Sequence, residues 1–320
     1  MTLAFVFPGQ GSQAVGMGAE LFDTFATARD VFNEVDEALG QKLFAIMRDG
    51  PEDQLTLTEN AQPAIMAVSV AVSRVLEKDF GISCAAAKYV AGHSLGEYSA
   101  HAAAGTFSLA DTARLLKLRG QAMQRATPLG VGAMAALIGK ADLALAEAAC
   151  EAGSAAGVVV IANDNNAGQI VISGVKQAVE LAVEKAKELG AKGMLLNVSA
   201  PFHSPLMEPA AEEMREALAK VTINPPASIL VANVTAAPVT DTSQITDLLV
   251  RQVTGRVRWR ESVQWLAAKE SENGGGVTTF AELGAGKVLT GMSKRIAPEA
   301  VSVALNGAAD FEAFAASLKA

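Results

Sequence analysis

One short turn in the first third of the chain constrains the fold more than any other feature. Residues 92–96, with the sequence GHSLG, follow an apolar, strand-like run at 89–91 and lead directly into a helix-forming stretch at 95–104. The flanking glycines leave room for a strained backbone, and Ser94 is pushed outward where a ligand can reach it. The turn therefore predicts a strand followed at once by a helix, with a reactive serine between them.

Strand-like and helical segments alternate on both sides of this turn. Before residue 128 the predicted segments are strands at 3–7 and 88–91, a glycine-rich loop at 9–18, and helices near 20–39, 61–80 and 108–125. After residue 200 they are a helix at 205–220, a strand at 229–233, a polar stretch to residue 247, a helix from residue 262 and a strand at 278–283. Such alternation predicts a mainly parallel sheet with helices on its faces.

The middle of the chain has a different and more compact order of segments. They are strand 133–138, helix 141–152, strands 158–162 and 169–173, helix 175–189 and strand 193–198. This β-α-β-β-α-β order is that of a ferredoxin-like unit. We therefore expect an α/β fold in which residues 1–127 and 200–320 form an α/β-hydrolase-like catalytic domain, with a ferredoxin-like subdomain, 128–199, inserted into it.

The composition narrows the classes of function. Half of the 320 residues are apolar and the formal charge is −8, which argues against general binding to nucleic acid or to an anionic membrane. The two cysteines, Cys84 and Cys150, lack the spacing of a disulfide framework or a zinc site. The apolar run at 3–7 is too short for a signal core or a membrane span. We expect a cytoplasmic, monomeric protein with no metal and no bound cofactor.

Three histidines are candidates for the base that a serine nucleophile needs within hydrogen-bond reach. His93 is adjacent to Ser94, in a segment where neighbouring side chains diverge, and His101 lies two turns along the next helix. His203 belongs to a proline-bracketed loop at 199–205 that joins the two predicted domains, where catalytic groups from two sides converge. We therefore predict His203 as the base. A packing or helix-capping histidine is the alternative.

Arg119 places a permanent charge within the apolar stripe of the helix predicted at 108–125. Its neighbours at helical spacing are Leu115, Leu116, Ala122 and Met123. A buried guanidinium is costly unless a carboxylate or phosphate meets its planar fork. Arg119 therefore either pairs with an internal acid or awaits an anionic substrate, and both alternatives stay open at this point.

Three further segments carry groups that bind ligands in other proteins. The loop at 9–13, GQGSQ, supplies backbone N–H donors at the end of a strand. An ordinary glycine-rich turn would have the same sequence pattern. Residues 284–287, GAGK, lack the first glycine and the hydroxyl residue of a Walker loop. The third segment holds four arginines, Arg251, Arg256, Arg258 and Arg260. Such a cluster is either a solvated face or a basic surface that binds an acidic protein or nucleotide phosphates.

Five motifs occur in a specific order from the first strand towards the C-terminal helix. They are GQGSQ at 9–13, GHSLGEYS at 92–99, LRG at 118–120, PFHSPLM at 201–207 and GAGKVL at 284–289. Together they resemble the motifs of the malonyl-CoA:acyl carrier protein transacylase family. The resemblance is specific because the serine, arginine and histidine motifs occur together.

The resemblance implies a ping-pong acyl transfer. Ser94 would attack the thioester of malonyl-CoA with His203 as its base, and the phosphopantetheine thiol of acyl carrier protein would then attack the malonyl-serine. The resemblance also implies that the backbone N–H groups of Gln10 and Leu95 form the oxyanion hole. Arg119 would bind the free carboxylate of the malonyl group, which acetyl and longer acyl groups lack.

The same resemblance implies roles for four more residues. His93 would lie near the malonyl carboxylate, and the backbone carbonyl of Gln252, in place of an acid, would orient His203. Asn165 matches a position that faces the cleft, although a tight turn explains this asparagine-rich segment equally well. Phe202 resembles the bulky residue that malonyl-selective acyltransferases place against an α-methyl group, which predicts malonyl over methylmalonyl.

Three other functions compete with malonyl transfer for fatty-acid chain elongation. A trans-acting acyltransferase of a polyketide pathway needs the same half-reactions. An α/β-hydrolase such as a thioesterase shares the serine turn, but its histidine lies late in the chain, whereas the 117 residues after His203 contain none. A non-catalytic docking module for carrier protein would have no need of both Ser94 and His203.

Overall fold

A computed structural model describes residues 1–198 and 200–319, and the ten strands of this part of the chain form two sheets. In chain order the strands are β1 (Leu3–Phe7), β2 (Tyr89–Gly92), β3 (Gly132–Gly139), β4 (Val159–Asn166), β5 (Gln169–Val175), β6 (Ala191–Leu195), β7 (Ile229–Ala232), β8 (Ala237–Val239), β9 (Thr279–Leu283) and β10 (Val301–Leu305). The larger sheet has the order β10-β9-β1-β2-β7-β8. Its first five strands are parallel, and β8 is antiparallel to β7.

The described helices lie on both faces of this sheet and around the smaller one. They are α1 (Ala19–Thr24), α2 (Ala26–Leu39), α3 (Leu43–Asp49), α4 (Glu52–Thr56), α5 (Thr58–Phe80), α6 (Leu95–Ala103), α7 (Leu109–Arg125), α8 (Leu143–Gly153), α9 (Lys176–Glu188), α10 (Glu208–Leu218), α11 (Ile245–Thr254), α12 (Trp259–Ala267), α13 (Val288–Ile296) and α14 (Ala308–Ser317). None of these helices combines the length and the apolar character that crossing a membrane requires.

Strand β1 shows why the larger sheet is covered on both faces. All five of its residues are buried, as expected for a central parallel strand. Because side chains alternate along a strand, Phe5 and Phe7 point into a core formed with α2, α5 and α7. Val6 points into a second core on the opposite face, which it shares with Trp259 of α12 and Leu289 of α13.

Several segments differ from the sequence-based expectation. The helix expected at 20–39 is divided into α1 and α2, because Phe25 has an extended backbone, with φ −114° and ψ 124°. The ring of Phe25 packs against Phe80 and Phe311, with centroids 6.1 and 5.9 Å away. The polar stretch expected before residue 247 contains β8 and the beginning of α11.

The smaller sheet is antiparallel, with the strand order β4-β5-β3-β6. Helices α8 and α9 pack on it through small side chains, among them Ala146, Ala149, Ala178 and Ala182. Strand β4 continues to Asn166 instead of ending at 162, with two register shifts against β5. Asn165 therefore lies in a strand, and the tight turn expected around it falls at 167–168.

The end of β4 also connects the two sheets. The backbone N–H of Asp164 donates to the carbonyl of Val257 over 3.0 Å, and the N–H of Val257 donates to the carbonyl of Ala162 over 2.8 Å. Arg260 on α12 donates to the fully buried carboxylate of Asp164 over 2.8 Å. These contacts fix β4 to Val257 and α12, which pack against the larger sheet.

The four clustered arginines each meet a carboxylate. The pairs are Arg251–Asp247, Arg256–Glu261, Arg258–Glu261 and Arg260–Asp164. Arg251 is the most exposed of the four, at 55% of its side chain, and the other three are at or below 32%. Arg256, Arg258 and Arg260 therefore serve mainly to hold α12, the segment before it and β4 in place, whereas the Arg251–Asp247 pair lies on the exposed surface of α11.

Candidate active site

The predicted serine turn joins β2 to α6 with strained geometry. Ser94 has φ 53° and ψ −110°, a conformation that L-residues rarely adopt. A Cβ atom on Gly92 would lie 1.9 Å from the backbone of Gly96, and one on Gly96 would lie 2.2 Å from the carbonyl oxygen of Phe7. Both glycines are therefore required for the helix to begin so close to the sheet, with Ser94 at the apex.

Ser94 and His203 form a hydrogen-bonded pair. The Oγ of Ser94 lies 2.8 Å from the Nε2 of His203, and the Nδ1 of His203 lies 2.8 Å from the backbone carbonyl oxygen of Gln252. Because a carbonyl only accepts, Nδ1 carries the proton and Nε2 is left to accept the hydroxyl proton of Ser94. Burial, with the nearby Arg119 guanidinium, lowers the pKa of His203 to about 3, so the imidazole is neutral at physiological pH.

Arg119 is 1% exposed and reaches the same serine from α7. Its Nη2 donates to the Oγ of Ser94 over 3.1 Å and to the Oε1 of Gln252 over 3.0 Å, and its Nη1 donates to the Oε1 of Gln62 over 2.7 Å. The ring of Tyr98 lies 5.6 Å from the guanidinium carbon. Within residues 1–198 and 200–319, Arg119 forms no ion pair with a carboxylate, so the internal-acid alternative is not found there.

Two backbone N–H groups beside the serine are unused. Gln10, after β1, and Leu95, the first residue of α6, both line the cavity described below. Neither N–H donates to another residue in the described part of the chain, whereas the N–H of Ser94 donates to the Oδ1 of Asn233 over 2.8 Å. The side chain of Gln10 accepts a hydrogen bond from the Oγ1 of Thr58.

A cavity of about 440 Å³ opens in front of Ser94, between the two sheets. Its wall on the side of the larger sheet includes Gln10, Gln62, His93, Ser94, Leu95, Arg119, Phe202, His203 and Leu289. Its wall on the side of the smaller sheet is formed by Met134, Ala136, Asn163, Asn165, Gln169 and Val171. The size lies within the range of small-molecule sites, and the position is the carboxyl edge of the parallel strands, where α/β proteins bind ligands.

Three of the four remaining predicted residues, His93, Asn165 and Phe202, line this cavity. The Nε2 of His93 lies 2.8 Å from the Oδ1 of Asn165, which links the serine turn to β4. Burial lowers the pKa of His93, so it is neutral as well. Phe202 is 7% exposed and lines the cavity next to His203. Gln252 does not line the cavity but lies directly behind Ser94 and Arg119.

Three polar residues in contact with this site were not predicted from the sequence. Gln62 lies in the almost wholly buried helix α5, Asn233 follows β7, and Glu97 is in the first turn of α6. All three are buried. A buried polar residue within an apolar helix, and one at the carboxyl end of a parallel strand, are the patterns that point to Gln62 and Asn233.

The third histidine, His101, does not belong to the site. It is 1% exposed, it packs against Phe107 with ring centroids 5.0 Å apart, and burial lowers its pKa to about 3. Elsewhere, both cysteines are free thiols, and the described residues contain no group of three metal-binding side chains.

Known proteins are similar to this chain along nearly its whole length. Residues 4–305 match the family model described as an acyl transferase domain. The malonyl CoA-acyl carrier protein transacylase of Escherichia coli (strain K12) is 45% identical over 304 residues, which make up 95% of this chain and 95% of that one.

Solved structures agree with the sequence comparison. The acyl-carrier-protein-S-malonyltransferase from Bartonella henselae superposes with a TM-score of 0.95 and 54% identity over 100% of both chains. A malonyl-transacylase in complex with a type II PKS acyl-carrier protein superposes with a TM-score of 0.92 and 38% identity, over 99% of this chain and 100% of that one. The chain therefore belongs to the acyl transferase domain family, among the malonyl CoA-acyl carrier protein transacylases.

Proposed function

We propose that this protein transfers the malonyl group of malonyl-CoA to the phosphopantetheine thiol of acyl carrier protein, through a malonyl-serine at Ser94. The names of its relatives agree with this activity. The observation that carries the proposal is the buried guanidinium of Arg119, 3.1 Å from the Oγ of Ser94 and hydrogen-bonded to neutral groups. A serine nucleophile beside such a cation suits an acyl group that has a carboxylate of its own.

The first half-reaction begins at the Ser94–His203 pair. The Oγ of Ser94 attacks the thioester carbonyl carbon while its proton passes to the Nε2 of His203, 2.8 Å away. The backbone N–H groups of Gln10 and Leu95 stabilise the resulting oxyanion. The C–S bond then breaks, the sulfur of coenzyme A takes the proton from His203, and malonyl-Ser94 remains.

The second half-reaction repeats these steps with a different thiol. The phosphopantetheine thiol of acyl carrier protein gives its proton to His203 and attacks the ester carbonyl of malonyl-Ser94. The C–O bond to Ser94 breaks and Oγ recovers the proton, so the enzyme is regenerated. The carbonyl of Gln252 holds the Nδ1 proton of His203 throughout and adds no charge to the pair.

Arg119 selects the acyl group. A bidentate contact between its guanidinium and the malonyl carboxylate replaces hydrogen bonds to neutral groups by a charge-assisted pair. An acetyl group leaves the buried cation without that partner, a difference of about 2–5 kcal/mol. His93, held by Asn165, is placed beside the same carboxylate, and Phe202 occupies the space that an α-methyl group would need, which favours malonyl over methylmalonyl.

The finer architecture is part of the same proposal. Residues 1–127 and 200–320 form an α/β-hydrolase-like domain, supported by the parallel sheet and the strained serine turn. Residues 128–199 form an inserted ferredoxin-like subdomain, supported by the element order β3-α8-β4-β5-α9-β6. The boundary residue Ser199 lies outside the described residues. We further propose a cytoplasmic monomer that uses no resident cofactor and binds neither nucleic acid nor membrane.

Intact-protein mass spectrometry after incubation with malonyl-CoA tests the proposal. We expect one malonyl adduct on the wild type, none on Ser94→Ala, and loss of the adduct when holo acyl carrier protein is added. An adduct that persists on Ser94→Ala would contradict the proposed nucleophile. Release of free malonate without any dependence on carrier protein would instead indicate a thioesterase.

The pathway is fatty-acid chain elongation in this proposal, with polyketide synthesis as the alternative. The similarity to a malonyl-transacylase solved with a type II PKS acyl-carrier protein supports keeping that alternative. Initial rates with a fatty-acid carrier protein and a polyketide carrier protein, at equal concentration, distinguish the two. A clear preference for the polyketide carrier protein would overturn the first assignment.

A further inference from the structure

A buried carboxyl group lies behind the serine turn and takes no part in the steps above. Glu97 is 1% exposed and stands three residues after Ser94, in the first turn of α6. Its Oε2 accepts two hydrogen bonds, from the backbone N–H of Asn233 over 3.0 Å and from the Nε2 of Gln252 over 2.7 Å. The carboxyl group is therefore shared between two residues that both contact Ser94.

Gln252 links Glu97 to Ser94, Arg119 and His203. Its Nε2 also lies 3.0 Å from the carbonyl oxygen of Ser94, and its Oε1 accepts from Arg119. Its backbone carbonyl accepts from His203. A guanidinium only donates and a carboxylate only accepts, so a single orientation of the Gln252 amide satisfies both neighbours. Glu97 supplies the acceptor that selects this orientation.

Asn233 links Glu97 to the first half of the strained turn. Its Oδ1 accepts from the N–H of Ser94 over 2.8 Å, and its Nδ2 donates to the carbonyl of Gly92 over 2.7 Å. These bonds bracket His93 and hold the N-terminal side of the strained Ser94 residue. The backbone of Asn233 is itself held by Glu97.

We propose that Glu97 is a positioning residue for the acyl transfer, which rests on the function proposed above: its carboxyl oxygen fixes Gln252 towards Arg119 and fixes Asn233 on the serine turn. An acceptor oxygen is what this role requires. Glu97→Gln retains one, whereas Glu97→Ala removes it and leaves two buried N–H groups unpaired.

The charge on Glu97 has a separate effect. Burial raises the pKa of Glu97 to about 7, and the charged or titratable groups that face it are Arg119, from α7, and Tyr98, from its own helix. His203 and His93 stand beyond them and are neutral. An ionised Glu97 competes with the malonyl carboxylate for Arg119, so malonyl-CoA binding favours the protonated form. Binding is then strongest below pH 7 and weakens as the pH rises through 7.

Three variants test this role through steady-state kinetics and the rate of Ser94 malonylation. We expect Glu97→Ala to malonylate Ser94 about 10- to 100-fold more slowly than the wild type. We expect Glu97→Gln to stay within about threefold. Glu282→Ala is the matched control, because Glu282 is equally buried and accepts two backbone N–H bonds at the beginning of α13, without contact to Ser94, Arg119 or Gln252.

The pH dependence gives a readout that a purely structural role would not change. The KM of the wild type for malonyl-CoA should rise about threefold or more between pH 6 and pH 8, while Glu97→Gln should keep a low KM throughout. Glu282→Ala should lower the melting temperature and leave the pH profile of the KM unchanged. If Glu97→Ala does not fold, Glu97→Gln and this profile still decide the question.

Several results would overturn the inference. A folded Glu97→Ala that malonylates Ser94 at the wild-type rate would do so, as would a Glu97→Gln as slow as Glu97→Ala. A wild-type KM that does not vary from pH 6 to pH 8 would overturn the competition between an ionised Glu97 and the malonyl carboxylate, and not the positioning role. A wild type that takes up no malonyl group at all would instead remove the proposed function. The two failures are therefore distinguishable.

Discussion

The two walls of the cavity differ in chemistry and in how firmly their side chains are held. The wall from the larger sheet carries Ser94, His203 and Arg119, each fixed by hydrogen bonds to buried partners. The wall from the smaller sheet presents apolar side chains such as Met134 and Val171, together with three amides. In the proposed mechanism the reaction takes place at the carboxyl edge of the parallel strands, and the antiparallel sheet shapes the space for the substrate.

Among substitutions in the wall from the larger sheet, replacement of the base His203 is expected to have the largest effect. His203→Ala should slow malonyl transfer by about 10³- to 10⁴-fold, because Ser94 loses its proton acceptor. In the wild type, the rate at saturating malonyl-CoA should be constant from pH 8 to pH 5 and fall only towards pH 3, since protonation of His203 removes the base. Stopped-flow measurement of acylation across this pH range tests both expectations. An acid limb near pH 6.5 would contradict them.

His101 provides the control, because burial lowers its pKa to the same value without any contact to the site. His101→Leu should transfer malonyl groups within about twofold of the wild type. In the unfolded chain His101 binds a proton near its ordinary pKa of 6.5, whereas in the folded chain it stays neutral until about pH 3. The free energy of unfolding therefore decreases as the pH falls below 6.5. His101→Leu has no such titration, so it should not show this decrease in the free energy of unfolding, which reaches about 2 kcal/mol at pH 5. Urea unfolding at pH 5 and pH 8 measures the difference.

The next effect is on the choice of acyl group. Arg119→Ala should reduce kcat/KM for malonyl-CoA by about 30- to 4000-fold, which corresponds to the loss of a buried charge pair. Transfer from acetyl-CoA should change far less, because acetyl has no carboxylate to lose a partner. Competition assays with both thioesters measure the ratio. An equal loss for the two substrates would indicate that Arg119 acts on Ser94 rather than on the acyl group.

A smaller effect is expected where Phe202 limits the space beside His203. Phe202→Ala should raise the use of methylmalonyl-CoA relative to malonyl-CoA by about tenfold, because a methyl group then fits the cavity. Phe202→Leu, which fills most of the same volume, is the matched control and should change the ratio much less. An unchanged ratio in the alanine variant would refute the proposed role of Phe202.

The smallest effect is expected on the opposite wall. Asn165→Ala removes one neutral hydrogen bond to His93 and should raise the KM for malonyl-CoA by about two- to tenfold, with kcat nearly unchanged. Val171→Ala, on the same wall but without a polar contact to the serine turn, is the comparison. A loss in kcat comparable to that of His203→Ala would show that both walls carry the chemistry.

The sequence predicted much of this arrangement where the signal is local. The strand at 3–7, the serine turn and the alternating order of segments can be predicted from apolar runs and glycines. The division at Phe25 was not readable, since it depends on aromatic contacts with Phe80 and Phe311, far along the chain.

In the site, too, only residues with a local signal in the sequence could be predicted. Ser94, His203 and Arg119 stand out through their motifs or through a charge in an apolar stripe. Glu97 does not, because an acidic residue in the first turn of a helix is ordinary and its contacts lie more than a hundred residues away. Tertiary contacts of this kind have no local signature.

The position of β1 has a consequence for how the chain is assembled. This strand pairs with β2 on one side and with β9 on the other, where Leu3 meets Thr279. During synthesis β1 leaves the ribosome long before β9, so one of its edges has no neighbour until β9 has been made. The antiparallel sheet, by contrast, has all its strands between residues 132 and 195 and can form earlier. The nascent chain therefore carries an open, apolar strand edge for most of its synthesis, which makes β1 the segment that chaperones have most reason to shield.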